Sequence, residues 1–181
     1  MLLYGRAPEK FHSPEVHALL MKTCIIFHSY TGITRGVAEQ VQAACGGDMI
    51  EVKPRQKYST LTAYTVGCLR ARNEEAEPIE PAHIDVAAYD LLVIGTPVWA
   101  FKSTPAVNGA INALEHCDGK KGVIFATCGG KAGDTTAIMK RALGEKGVDV
   151  MGEFVFDRKD LRDETKVNAL IEAIRKAGNT G

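Results

Sequence analysis

Residues 23–34, Thr-Cys-Ile-Ile-Phe-His-Ser-Tyr-Thr-Gly-Ile-Thr, decide the fold. The first six form a short, nearly continuous apolar run, which is typical of a β-strand buried on both faces. From Ile33 onward apolar residues recur every four positions as far as Cys45, and two glycines follow. This spacing predicts an amphipathic helix that ends at the glycines. A buried strand that leads straight into a helix is the opening unit of a parallel α/β sheet.

Four further apolar segments extend this pattern along the chain. Further strands are predicted at 49–52, 91–94, 123–126 and 148–156, and further helices at 59–72, from Pro105, after Asp134 as a cap, and near 163–176. In the helix at 59–72 the predicted apolar stripe is Leu61, Thr65 and Leu69, whereas residues 73–88 and 96–102 are predicted loops. Alternating strands and helices form a parallel sheet with right-handed crossovers. The sequence therefore predicts a three-layer α/β/α doubly wound domain with five parallel strands.

Length and composition are those of one globular domain. The chain has 181 residues, and Lys plus Arg and Asp plus Glu are both 22, so the formal charge is zero. This balance argues against nucleic acid or an anionic membrane as the main partner. Five cysteines without Cys-x-x-Cys spacing indicate reduced thiols. We expect a cytoplasmic protein whose domain occupies 22–181, after an N-terminal extension, 1–21, with a short helix at 14–20.

The loop after the first strand has the composition of an anion site. Its residues are Ser29, Tyr30, Thr31, Gly32, Ile33 and Thr34. Hydroxyls and free backbone amides converge there on the positive end of a helix dipole, which is a favourable place for a phosphate. The alternative is that Ser29 or Thr31 only caps the helix. Three hydroxyls are more than a cap needs, so we favour the phosphate site.

The segments after the third and fourth strands suit a flat ring. They contain Thr96, Pro97, Val98, Trp99, Ala100 and Phe101, and then Thr127, Cys128, Gly129 and Gly130. Aromatic side chains at the carboxyl end of a strand can stack on a planar ligand, and glycines let a polar ring edge approach the backbone. A phosphate site beside such surfaces predicts a phosphorylated cofactor with a heteroaromatic ring, and FMN fits that description.

At these residues the chain resembles the flavodoxin-like family, specifically its short-chain FMN-binding members. The family's Thr/Ser-x-Thr-Gly-x-Thr motif is matched at 29–34, and Gly-Thr-Pro-Val-Trp follows at 95–99. The resemblance implies a strand order of 2-1-3-4-5 and noncovalent FMN. It also implies that 29–34 hold the phosphate, that 96–101 flank the isoalloxazine ring, and that 127–130 meet its pyrimidine edge.

Two functions follow from this resemblance. The first is electron transfer by an FMN-binding protein to a redox partner protein or a small-molecule acceptor. The alternative is an NAD(P)H-dependent FMN oxidoreductase of the quinone reductase type, which would need a nicotinamide pocket completed by the second subunit of a homodimer. Lys102, Lys131 and the absence of glycine from 96–102 favour this alternative modestly. The sequence leaves open whether His28 contacts the ligand and whether Tyr58 and Tyr64 cover it, and Cys128 is predicted to be a packed thiol.

Overall fold

A parallel sheet of five strands is the centre of the computed structural model, which describes residues 21–179. The strands are β1 (Thr23–Phe27), β2 (Asp48–Glu51), β3 (Leu91–Trp99), β4 (Lys121–Thr127) and β5 (Asp149–Phe156). Their order is β2-β1-β3-β4-β5, and every neighbouring pair is parallel. The predicted parallel α/β sheet is confirmed.

Within the described residues, five helices and a short 3-10 helix at Asp160–Arg162 connect or follow the strands. The five helices are α1 (Ile33–Cys45), α2 (residues 60–72), α3 (Pro105–Asn112), α4 (Thr135–Glu145) and α5 (Glu164–Asn179). Helix α2 consists of a turn at Thr60–Thr62, a π-helical turn at Ala63–Gly67 and a turn at Cys68–Arg72. Short two-residue strands pair Lys53–Pro54 with Ile79–Glu80, and Ile84–Asp85 with Leu114–Glu115.

The helices cover both faces of the sheet, because side chains alternate between the faces along each strand. On β1, Ile25 and Phe27 pack in the core beneath α1 and α5. Cys24 and Ile26 pack in the opposite core beneath α3 and α4. Burying one large apolar side chain contributes about 2 kcal/mol to the free energy of folding, so the two cores together stabilise the sheet.

Helix α2 presents a different face from the predicted one. The stripe at Leu61, Thr65 and Leu69 is exposed, and the buried residues are Ala63, Gly67 and Ala71. A Cβ on Gly67 would lie 2.5 Å from the Trp99 ring. The small residues therefore let the helix backbone approach Trp99; the predicted helix is confirmed, and the stripe with the leucines faces solvent.

Strand β3 continues through most of the segment predicted as a loop. Val98 and Trp99 pair antiparallel with Ser103 and Lys102. Ala100 and Phe101 form the turn between them, at φ of 48° and 66°. Positive φ at both central residues is the geometry of a tight hairpin turn that usually contains glycine or asparagine. The predicted loop at 96–102 is thus corrected to a strand and a hairpin.

Ala100→Gly should stabilise the protein by about 1 kcal/mol, because glycine adopts positive φ without the steric penalty that alanine meets. Urea unfolding of the protein without added ligand measures the change. Ala87→Gly is the control, since Ala87 is exposed and has no positive φ. Its replacement should destabilise the fold slightly. Equal losses of stability in both variants would contradict the claim of strain at Ala100.

Four further predictions concern the Asp134 cap, the cysteines, the helix at 14–20 and the domain boundary. Asp134 precedes α4 but forms no side-chain cap bond, so the predicted cap was wrong; its carboxylate binds Lys102 instead. All five cysteines are free thiols. The predicted helix at 14–20 lies outside the described residues, and the domain boundary after residue 21 stays a prediction. Between residues 21 and 179, no helix is both long and apolar enough to cross a bilayer.

Candidate functional site

A cavity of about 320 Å³ opens at the carboxyl edge of the sheet. Eleven of the predicted site residues line it: Tyr30, Thr31, Ile33, Thr34, Pro97, Val98, Trp99, Ala100, Thr127, Cys128 and Gly129. The three predicted segments therefore meet around one volume. This size and placement suit a small-molecule ligand at the point where the strand order reverses.

Five predicted residues are not on the cavity lining. They are Ser29, Gly32, Thr96, Phe101 and Gly130. Thr96 is fully buried, and its hydroxyl donates to the Pro97 carbonyl and lies 3.2 Å from that of Thr104. Phe101 is 60% exposed at the tip of the hairpin. The Thr96 side chain therefore stabilises the end of β3, and the Phe101 side chain is mostly exposed to solvent.

The loop at 29–34 holds a set of backbone amides that have no acceptor. Ser29 Oγ accepts from the amides of Gly32 at 3.2 Å and Arg35 at 3.3 Å, so this hydroxyl caps the helix start. The amides of residues 30, 31, 33 and 34 bond to nothing among the described residues. Gly32 has φ of 89°, and no atom lies within 4 Å of where its Cβ would be. These amides at the start of α1 are free to bind an anion.

Thr34 connects this loop to the end of β4. Its hydroxyl oxygen lies 2.8 Å from that of Thr127, and both side chains are buried. The bond spans 93 positions of sequence. It joins the loop at 29–34 to the segment 127–129, so the unpartnered amides and the glycine-containing segment are held beside each other.

Trp99 is held in place by aromatic side chains on several sides. Its ring meets those of Tyr30 at 5.6 Å, Tyr58 at 5.5 Å and His28 at 6.2 Å, each edge to face. Tyr58 donates a 2.6 Å hydrogen bond to Glu77. Edge-to-face contacts contribute about 1 kcal/mol each beyond burial. One side of the cavity is therefore rigid before any ligand binds.

His28 is a buried structural residue behind Trp99 and is not on the cavity lining. Its Nδ1 lies 3.1 Å from the Val52 carbonyl oxygen. Burial lowers the pKa of His28 below the ordinary value of 6.5, although this hydrogen bond and Glu51 oppose the shift. The neutral imidazole is the form that the fold accommodates.

The lowered pKa of His28 predicts that stability falls on mild acidification. The folded protein binds fewer protons at this site than the unfolded chain, so stability is full above pH 6.5 and is lost as the pH drops below it. Urea unfolding between about pH 5 and about pH 7 measures this slope. His28→Gln should flatten it, whereas His83→Gln, at an exposed position, should not. If stability depends on pH as strongly in His28→Gln as in the wild type, the titration of another group causes the loss of stability.

Four residues of the cavity were not among the predicted binding residues: Ala63, Tyr64, Cys68 and Arg158, although the sequence had left open whether Tyr64 covers the ligand. The first three lie on α2, which was predicted as a helix but could not be placed from sequence. Arg158 follows β5, and the rule that ligands bind beyond the carboxyl ends of strands would have found it if applied to the fifth strand. Burial raises the pKa of the Cys68 and Cys128 thiols, so both stay protonated at neutral pH.

Lys102 does not contribute a free charge to the cavity. Its ammonium lies 3.1 Å from Glu74 and 3.0 Å from Asp134, and neither Lys102 nor Lys131 is on the lining. No carboxylate or imidazole lines the cavity within the part of the chain that the structure describes. The structure therefore places neither lysine at the cavity, and their charge no longer favours the oxidoreductase alternative.

Comparisons with known proteins agree with this geometry. Residues 22–146 match the model of a protein family described as flavodoxin. No curated protein matches the chain. A solved structure of a candidate flavoprotein from Bacteroides eggerthii is 24% identical, with a TM-score of 0.68, covering 84% of this chain and 97% of its own.

Two other solved structures have the same fold. The Lactobacillus acidophilus flavoprotein in complex with FMN is 19% identical, with a TM-score of 0.62, and covers 83% of this chain and 98% of its own. Two-electron reduced Megasphaera elsdenii flavodoxin is 21% identical, with a TM-score of 0.55, and covers 85% and 98% respectively. At these identities the likeness shows a shared fold.

Proposed function

The chain belongs to the flavodoxin family and takes FMN as its cofactor, and on that premise we propose that it carries electrons between redox partners. The observation that carries the proposal is the set of unpartnered amides at residues 30, 31, 33 and 34, beside a cavity of about 320 Å³. The residues present fit the group, because amides at a helix start bind phosphate and the adjoining surfaces are flat and partly apolar.

Each part of the cavity has a separate task in this proposal. The loop at 29–34 binds the phosphate, and residues 97–100, which include Trp99, border the ring. Backbone groups at 127–129 approach the polar edge of the ring. When bound, FMN supplies the redox chemistry, and the chain binds it, orients it and excludes water from part of it.

The chemistry of the lining supports a carrier over an enzyme that moves protons. No carboxylate or imidazole reaches the cavity from residues 21–179, and burial keeps the Cys68 and Cys128 thiols protonated. General acid–base catalysis needs a group that titrates near neutral pH within hydrogen-bond reach of the substrate. Electron transfer needs only a positioned cofactor with an accessible edge.

Anaerobic reduction tests the proposal. The purified protein should show the yellow absorbance of bound FMN and should stay oxidised when NADH or NADPH is added. A low-potential electron-carrier protein with its reductase should then bleach it. Rapid bleaching by NADH or NADPH, with turnover on a quinone, would show that the protein is the oxidoreductase and not an electron carrier. A colourless protein that binds no added FMN would overturn both.

A further inference from the structure

Arg158 is the one charged side chain on the cavity lining among the described residues. It comes two positions after the end of β5, at the carboxyl edge of the sheet, and it is exposed. Its guanidinium makes no hydrogen bond or ion pair with any residue of the described range 21–179. The cavity therefore contains a cation whose hydrogen-bonding capacity is available to a ligand.

The backbone around Arg158 is held firmly. Asp157 Oδ1 accepts from the amides of Lys159 at 2.7 Å and Asp160 at 2.9 Å. Asp160 in turn accepts from the Asp157 amide and pairs with Lys166 at 2.7 Å. Both neighbouring carboxylates are thus engaged by other groups. These bonds fix the loop, and neither carboxylate of the loop neutralises the charge of Arg158.

This loop lies one strand away from the anion site. Phe156, at the end of β5, is paired with Thr127 of β4, and the Cys128 amide donates to the Phe156 carbonyl at 2.8 Å. Thr127 is bonded to Thr34 of the loop at 29–34. Helices α1 and α5 also pack on the same core, so their first turns lie at the same edge of the sheet. Arg158 and the free amides consequently border one cavity.

We propose that Arg158 binds the phosphate of FMN together with the amides at residues 30–34, and that it makes the site prefer FMN over riboflavin. The inference rests on the proposed function. A helix start offers only partial positive charge, whereas a guanidinium offers a full charge and two parallel donors to phosphate. The formal net charge of zero means that no overall positive field would substitute for it.

Flavin affinities of the full-length protein test this proposal. Equilibrium dialysis against FMN and against riboflavin is carried out with the wild type and with Arg158→Gln, Arg158→Lys and Lys159→Gln. Lys159 is the matched control, because it lies in the same loop, is exposed and is not on the cavity lining. Circular dichroism checks that the variants fold.

Arg158→Gln should raise the FMN dissociation constant about tenfold, which is the effect of one exposed charge-assisted hydrogen bond. Its riboflavin constant should stay unchanged, so the preference for FMN falls by the same factor. Arg158→Lys should retain most of the preference, and Lys159→Gln should retain all of it. The FMN affinity of the wild type should also fall more steeply with added salt than that of Arg158→Gln.

Three outcomes would overturn the inference. Equal weakening of FMN and riboflavin would place Arg158 at the ring or give it a structural role. Unchanged FMN affinity in Arg158→Gln would show that Arg158 does not bind the phosphate. A loss of FMN affinity in Lys159→Gln as large as that in Arg158→Gln would show that Arg158 has no specific role in this loop. In each case the wild type still binds FMN, whereas a wild type that binds neither flavin would overturn the proposed function itself.

Discussion

Replacing Thr31 with glutamate should weaken FMN binding by about a hundredfold or more and leave the fold intact. Thr31 lines the cavity between amides that have no acceptor. A carboxylate there would place like charge beside the phosphate, and two unit charges about 4 Å apart repel by about 4 kcal/mol at an effective dielectric constant of 20. The same carboxylate is favourable for α1, because negative charge stabilises a helix start.

Thr31→Glu should therefore weaken FMN binding without lowering the stability of the fold, and these two effects can be measured separately. Equilibrium dialysis gives the FMN dissociation constant, and thermal unfolding of the apoprotein gives the stability, which should be equal to or above that of the wild type. Thr60→Glu is the control, since Thr60 is exposed in the first turn of α2 and does not line the cavity. Undiminished FMN affinity in Thr31→Glu would show that the phosphate binds elsewhere.

Gly95→Ala should destabilise the protein by about 3 kcal/mol, at the upper end of what overpacking a core costs. Gly95 lies in β3 beside Phe27 of β1 and Phe125 of β4. A Cβ there would overlap the Phe125 ring, lying 2.6 Å from Cε1. Phe125 is fully buried and packs against Phe156, so it has no space to move away.

Gly122→Ala is the matched control for this effect. Gly122 lies in β4 of the same sheet, and its added Cβ would lie 3.0 Å from a terminal methyl group of Val148. Both changes reduce the entropy of the unfolded chain equally, so the difference between their urea midpoints isolates the overlap with Phe125. Because β3 continues into the cavity, Gly95→Ala should also weaken FMN binding. Equal midpoints for the two variants would contradict this account.

The hairpin after β3 shows why part of the site could not be predicted. Ala100 and Phe101 carry no local signal for a tight turn, which usually needs glycine or asparagine. Contacts from distant residues hold the turn instead. The Asp134 amide donates to the Phe101 carbonyl, Lys102 is bound by Glu74 and Asp134, and Gly133 leaves room for the Phe101 backbone.

Helix α2 shows a second kind of limit. Its sequence repeats every four residues on two faces, one with leucines and one with alanines and glycine. Hydrophobicity favours the leucine face for burial. The opposite face is buried because only small residues allow the close approach to Trp99, and that requirement exists only once β3 is in place.

The sequence by itself determined the alternation of strands and helices and predicted the loop at 29–34 as the place for an anion. Both depend on local chemistry, namely apolar spacing and the free amides at a helix start. Only the tertiary structure gave the bond between Thr34 and Thr127 and the position of the α2 residues at the cavity. Such contacts join positions far apart in the chain, and their partners are set by the packing of the sheet and its helices.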